Sequence, residues 1–165
     1  MKRLIAALSF VALAACTPPA GGAEGVVRDI YAAAQRDIGG ASAPELPMSD
    51  DLKALIDRGE AAADARGEPF IEGDIALDCQ DCTSISDLVI GPQTGAEQEP
   101  TRAGHQWVQA SFKLNGNEDR TVLWDMVETP HGWRVDDIFT RGSSLRAEAQ
   151  SYIDTPAATP VPAGP

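Results

Sequence analysis

Residues 106–114 (QWVQASFKL), 121–128 (TVLWDMVE) and 133–140 (WRVDDIFT) are three closely spaced runs rich in aromatic, β-branched and alternating apolar residues. Such runs are strands. Asn115-Gly116-Asn117-Glu118-Asp119 joins the first pair and Thr129-Pro130-His131-Gly132 the second, both with the residues that hairpin turns need. Connections this short make the strands antiparallel neighbours. In the first strand Val108, Ala110, Phe112 and Leu114 form the apolar stripe, so Trp107 faces the other way and is a candidate contact for a ligand or partner. In the third, alternation puts Trp133, Val135, Asp137 and Phe139 on one face and Arg134, Asp136 and Ile138 on the other. If Glu128 pairs with Trp133, then Val122, Trp124 and Met126 join the first of these faces, and Asp137 lies opposite Trp124. The same register makes Arg134 and Asp125 a surface ion pair worth less than about 1 kcal/mol.

Upstream, residues 85–90 read as a short strand before the Gly91-Pro92 break, and residues 93–104 as a polar surface loop. Farther upstream, Val27, Ile30, Tyr31, Ala34 and Ile38 share one helical face, with Gly39-Gly40 ending that helix. After a Pro-containing loop over residues 41–48, Ser49 caps a second helix. Asp50 and Asp51 sit in its first turn, and its buried face carries Leu52, Leu55 and Ile56. Downstream, Ser143 or Ser144 caps a last helix with Leu145, Ala149, Tyr152 and Ile153 on one face. The order predicts an α+β domain over residues 25–153: two N-terminal helices, a curved antiparallel sheet of three to four strands and a C-terminal helix.

The chain opens with Met1-Lys2-Arg3, an apolar run from Leu4, and Leu13-Ala14-Ala15-Cys16. A cationic start, a short apolar stretch and small residues before the cut describe a secretory leader over residues 1–15 that is too short for a stable transmembrane helix. The Leu-Ala-Ala-Cys ending resembles the lipobox of bacterial lipoproteins, which implies that Cys16 is acylated, with palmitate-type chains, and becomes the first mature residue. Residues 16–24 then form a lipidated flexible tether, and the Pro/Ala-rich residues 154–165 a disordered tail. Thr17 in place of Asp after the cysteine resembles lipoproteins sorted to the outer membrane. The expected location is the cell envelope, facing the periplasm, with the membrane reached through the lipid anchor. The net charge of −12 becomes −14 once Lys2 and Arg3 leave with the leader. So acidic a chain disfavours nucleic acid and anionic lipid surfaces and would steer a cationic protein partner.

Cys79 and Cys82 remain, in Asp78-Cys79-Gln80-Asp81-Cys82. In an oxidising compartment a local disulfide is the preferred reading, and so small a loop limits its stabilisation to about 2 kcal/mol. A redox site shares the spacing, but Asp78 and Asp81 push the thiol pKa the wrong way. A zinc site would have to recruit His105 and His131, which form no local pair. No metal and no cofactor are expected.

Gly132-Trp133-Arg134-Val135-Asp136-Asp137-Ile138, followed by Ser143-Ser144-Leu145-Arg146, resembles the C-terminal signature of a family of small secreted bacterial proteins of unknown function, many of them lipoproteins. That family belongs to the wider nuclear-transport-factor-two-like superfamily. The resemblance is strongest over residues 105–153, and Gln80-Asp81 is similar to a Gln-Asp element of the same family. It implies a bent sheet and packed helices forming a cone with a pocket, in a superfamily whose enzymes use Asp and His there.

Asp137 is the odd residue on an apolar face: burial would suit it to acid–base chemistry, but the preferred role is structural, with its carboxylate accepting backbone N–H groups near the last helix. His131 sits in an exposed turn. His105 reaches a pocket rim or faces water. Trp107, Trp124 and Trp133 are core residues by default and, with Asp137 and His105, candidate pocket or partner contacts. No residue is assigned as catalytic. The leading expectation is a membrane-tethered, non-enzymatic domain that binds a small-molecule ligand or protein. The alternatives are a small hydrolase, dehydratase or isomerase using Asp137, and an acidic inhibitor or immunity protein against a basic envelope-attacking enzyme. Further polar groups lining a pocket would favour the enzyme. An open acidic patch around exposed aromatics would favour the inhibitor.

Overall fold

The computed structural model describes residues 21–36, 38, 45–71, 73–94 and 102–155. Helices α1 (Gly22–Arg36) and α2 (Asp50–Asp64) precede strands β1 (Ile85–Pro92), β2 (His105–Leu114), β3 (Glu118–Thr129), β4 (Gly132–Thr140) and β5 (Ser143–Ser144), and α3 (Leu145–Asp154) follows. The strands form one antiparallel sheet in sequence order, so the fold is α+β. The expected three to four strands become five. Arg141 and Gly142 both have positive φ and make a two-residue reversal, after which Ser143 and Ser144 pair with Thr140 and Phe139. Ser144 then caps α3, its Oγ accepting from Ala147 N at 2.9 Å. None of the helices among the described residues is long and apolar enough to cross a membrane.

Helix α1 begins within the segment expected to be tether. Ala23, four residues before Val27, extends the buried stripe, and the Glu24–Arg28 pair supports the first turns. The leader, residues 16–20 of the tether including Cys16, Gly39-Gly40 and residues 156–165 lie outside the described residues. Val27, Ile30, Tyr31 and Ala34 pack on the sheet face formed by Val108, Ala110, Phe112, Val122, Trp124 and Met126. Tyr31 sits at their centre, against the rings of Phe112 and Trp124 at 5.5 and 5.9 Å. Its hydroxyl donates to Ala76 O at 2.8 Å, which ties the loop before β1 to the core. Burial pushes this phenol above its ordinary pKa, so it stays a neutral donor.

Glu128 pairs with Trp133 as the turn predicts, but a bulge between Asp125 and Met126 on β3 and Val135 and Asp137 on β4 shifts the register by one residue. Two expectations change with it. Asp137 lies opposite Asp125, not Trp124, and shares the outer face with Phe139, while Ile138 turns into the core beside Val135. Asp136, expected on a solvated face, is the extra residue and is buried. A third expectation fails for another reason: Arg134 lies opposite Val127 as the turn register already requires, its guanidinium donates to Trp133 O, and Asp125 is taken by Arg102 and His105, so the expected Arg134–Asp125 ion pair does not form. On its other edge β4 gains a partner from the loop read as irregular: Val135 N donates to Pro47 O at 2.9 Å and Ser49 N to Val135 O at 2.8 Å.

Helices α2 and α3 pack together beside β4, with Gly59 of α2 against the backbone of Ala149 in α3. A Cβ there would lie 2.7 Å from the Phe70 ring and 3.1 Å from Ala149 O. Gly59→Ala is therefore expected to lower stability by about 1 to 2 kcal/mol despite the better helix propensity of Ala. A higher melting temperature for this variant would contradict the packing.

Candidate functional site

The outer side of the sheet near the start of β2 collects the charges that the core excludes. Asp125 projects there because Trp124 and Met126, its neighbours, both face inward. One of its carboxylate oxygens meets His105 Nδ1 at 2.8 Å, and the other accepts from Arg102 Nη2. The same Arg102 nitrogen donates to Asp136 Oδ2 at 3.0 Å. The remaining oxygen of Asp136 accepts from Ser49 Oγ at 2.7 Å and from Arg146 Nη2 at 2.6 Å. Arg146 Nε donates in addition to Asp136 O. Ser49 Oγ accepts from Leu52 N, so this one hydroxyl caps α2 and binds the carboxylate. A single network thus joins the starts of α2, β2 and α3 to the bulge in β4.

The electrostatics follow from the contacts. Burial pushes Asp136 up, but the Ser49 hydroxyl and the Arg146 and Arg102 guanidiniums outweigh it and hold its pKa below the ordinary carboxylate value. Asp137, one residue on, behaves oppositely. Burial raises its pKa even though its Oδ1 accepts from Arg146 N at 3.0 Å and Ile138 N at 2.8 Å. Asp137 is thus committed to the first turn of α3, the backbone-accepting arrangement preferred from the sequence. It takes no part in the network.

Above the network opens a cleft of about 590 Å³, lined by Ser49, Asp50, Asp51, Arg102, His105, Thr129, His131, Arg134 and Arg146 among others. Arg102 is 58% exposed toward solvent while the carboxylates beneath it are nearly inaccessible. Arg134 donates only to Trp133 O and has no acidic partner among the described residues. Two other hollows lack this convergence. One, of about 440 Å³, lies beside Cys79, and one, of about 500 Å³, is bordered by Leu46, Pro47, Met48 and Ile56.

Of the candidate pocket or partner contacts, His105 alone lines this cleft, and His131, expected in an exposed turn, lines it too. Trp107 is half-buried on the outer face, its ring 5.2 Å from Phe139. Trp124, a candidate contact, is fully buried against Tyr31, its ring area used by the core. Trp133 is half-buried and closes the core near the start of α1. Cys79 and Cys82 sit at disulfide-bonding distance with Cα atoms 6.0 Å apart. Asp125, Asp136, Arg102, Ser49 and Arg146 were missed as a site. The usable signal was Asp125, an acid inside the otherwise apolar VLWDMV run.

No protein-family model and no curated protein matches the chain. Among solved structures, a phospholipid-binding protein from Ralstonia solanacearum, in complex with a phospholipid, is similar at 13% identity and a TM-score of 0.33. The match covers 79% of this chain and 71% of that one. Two chains this far apart need not share a ligand.

Asp136→Asn is expected to cost about 3 kcal/mol at neutral pH, because it strips a buried charge from guanidiniums that stay behind. The folded pKa of Asp136 lies below its unfolded value, so the stabilisation is complete above about pH 4 and fades as pH falls through the folded value. The deficit of the variant should shrink in acid. Asp137 has a raised pKa, so its ionisation costs stability as pH rises through its folded value, and Asp137→Asn should soften that loss. Denaturant unfolding from about pH 2.5 to 7 checks both, and parallel pH curves for the two variants would contradict the assignment.

Proposed function

We propose that this chain is a lipid-anchored protein of the cell envelope, periplasm-facing and held in the outer membrane through Cys16, whose nuclear-transport-factor-two-like domain binds a small anionic ligand without transforming it. One observation carries the binding reading: an open cleft whose floor is a fully partnered polar network and whose walls present Arg134 and the exposed side of Arg102. Guanidinium forks match carboxylate and phosphate groups, and Arg134 makes no ion pair among the described residues. The overall charge of −12 opposes an anion at long range, where salt screens it beyond about 8 Å, and Asp50 and Asp51 on the cleft lining oppose it locally, so the anion is met on the side of Arg102 and Arg134. At contact distance the guanidiniums act first.

The enzyme reading moves from Asp137, whose Oδ1 serves two backbone donors, to His105, held at 2.8 Å by Asp125 in the manner of an oriented base. The inhibitor reading has less support, because Trp107, Trp124 and Trp133 are all at least half-buried and form no open aromatic patch.

Thermal unfolding of the mature protein against a panel of phosphate, glycerophosphate, citrate and cationic or neutral counterparts tests the ligand class. The anions should raise the melting temperature, and Arg134→Ala should weaken the apparent affinity by about tenfold or more. Stabilisation by cationic or neutral compounds alone would reject it. Turnover of a bound anion that disappears in His105→Asn would establish the enzyme instead. Cys16→Ser should release the protein into the soluble periplasmic fraction, and a variant that stays with membranes after a salt wash would refute the anchor.

A further inference from the structure

We infer that His105, Asp125 and Asp136 form a site for one divalent transition-metal cation, which competes with Arg102 for it. The inference rests on the placement of these side chains and shares only Arg102 with the anion reading. Each of the three offers one ligand atom, and these atoms all lie within 4.8 Å of one another. Tetrahedral donors about 2.0 to 2.2 Å from one ion lie about 3.3 to 3.6 Å apart, so closing the site needs the widest pair to approach by up to about 1.2 to 1.5 Å. An imidazole nitrogen with two carboxylates suits Zn²⁺, Mn²⁺ or Fe²⁺ better than Mg²⁺ or Ca²⁺, which favour all-oxygen sets.

The protein already maintains a cation position at this point. Asp125 Oδ2 and Asp136 Oδ2 both turn toward the same Nη2 of Arg102, so a single positive nitrogen sits between the two carboxylates, while His105 Nδ1 is bonded to the other oxygen of Asp125, a contact that the ion would replace. Arg102 is the one partner that can leave at low cost, because its side chain is 58% exposed and gains hydration on withdrawing. The other partners of Asp136 stay. Asp136 Oδ1 keeps Ser49 and Arg146, an outer shell that fixes the orientation of the ligating carboxylate. The cleft above leaves coordination positions open for water or a ligand, as in metal sites that are not purely structural. Exchanging a guanidinium for a divalent ion also raises the positive charge at the floor of the cleft.

The test is a Zn²⁺ titration of the whole untagged chain with Cys79 and Cys82 bridged, followed by calorimetry and by the ring-nitrogen resonances of its two histidines. One equivalent should bind and shift His105 but not His131. Arg102→Met should bind at least about tenfold more tightly, because the resident cation is gone, and His105→Asn at least about tenfold more weakly. Zinc that shifts His131 instead of His105, fails to saturate at one equivalent, or binds Arg102→Met no more tightly than wild type would overturn the site. Should a variant fail to fold, the wild-type resonances alone decide. Arg134→Ala keeps the two readings apart: it should weaken anion binding and keep the zinc, so unchanged anion affinity with zinc intact counts against the proposed function only.

Discussion

The carboxylate of Asp136 is the constraint on which the arrangement of elements depends. It is buried, and it accepts hydrogen bonds from Ser49 at the cap of α2, Arg146 in the first turn of α3 and Arg102 from the segment before β2. Removing an ion from water costs several kcal/mol, and only a complete set of donors offsets that cost. The four segments must therefore arrive together. A partly docked α2 or α3 leaves the charge unpaired, which makes Asp136 a determinant of where those helices sit more than a source of net stability. The two helices then pack on each other at Gly59 and Ala149, where only the absence of a side chain allows the approach.

Much of the fold was legible because it rests on local rules. The alternation of Val108, Ala110, Phe112 and Leu114, the capping serines at 49 and 144 and the helical stripe from Val27 to Ala34 each repeat with the period of the element that carries them. The bulge was not legible from alternation alone, since one extra residue reverses every later side chain. A trace of it is in the sequence all the same. Val135 and Ile138 are three apart and both belong to the core, a spacing that strict period two forbids. The two acids between them, one facing the network and one capping α3, are what the extra residue makes room for.

The site was harder to see because none of its parts is unusual where it stands. Arg102 lies in a stretch whose composition says only surface loop, and Ser49 reads as an ordinary cap. What joins them is long-range: sequence separations of 87 residues between Ser49 and Asp136 and of 34 between Arg102 and Asp136. Pro47 and Ser49 add a further non-local element, bonding the backbone of Val135 along the edge of β4 from a segment that proline seemed to exclude from any sheet. A prolyl carbonyl and the next free N–H suffice for such a contact, since proline removes a donor but no acceptor.

The same long-range closure explains why cations gather at one cleft of an acidic chain. Arg102 and Arg146 are drawn in by Asp125 and Asp136, which the bulge and the strand pleat turn to one side of the sheet. His105 is held against Asp125 at the start of β2, with both residues fixed by the backbone of adjacent strands. Side chains anchored this way are already ordered before anything binds, so a ligand pays little conformational entropy to meet them. Arg102 and Arg134 keep capacity to spare, the first because it is exposed and the second because it makes no ion pair among the described residues. Rigid partners below and uncommitted donors above are the division that a binding cleft requires, and it arises here from one displaced strand residue and the charges it turns inward.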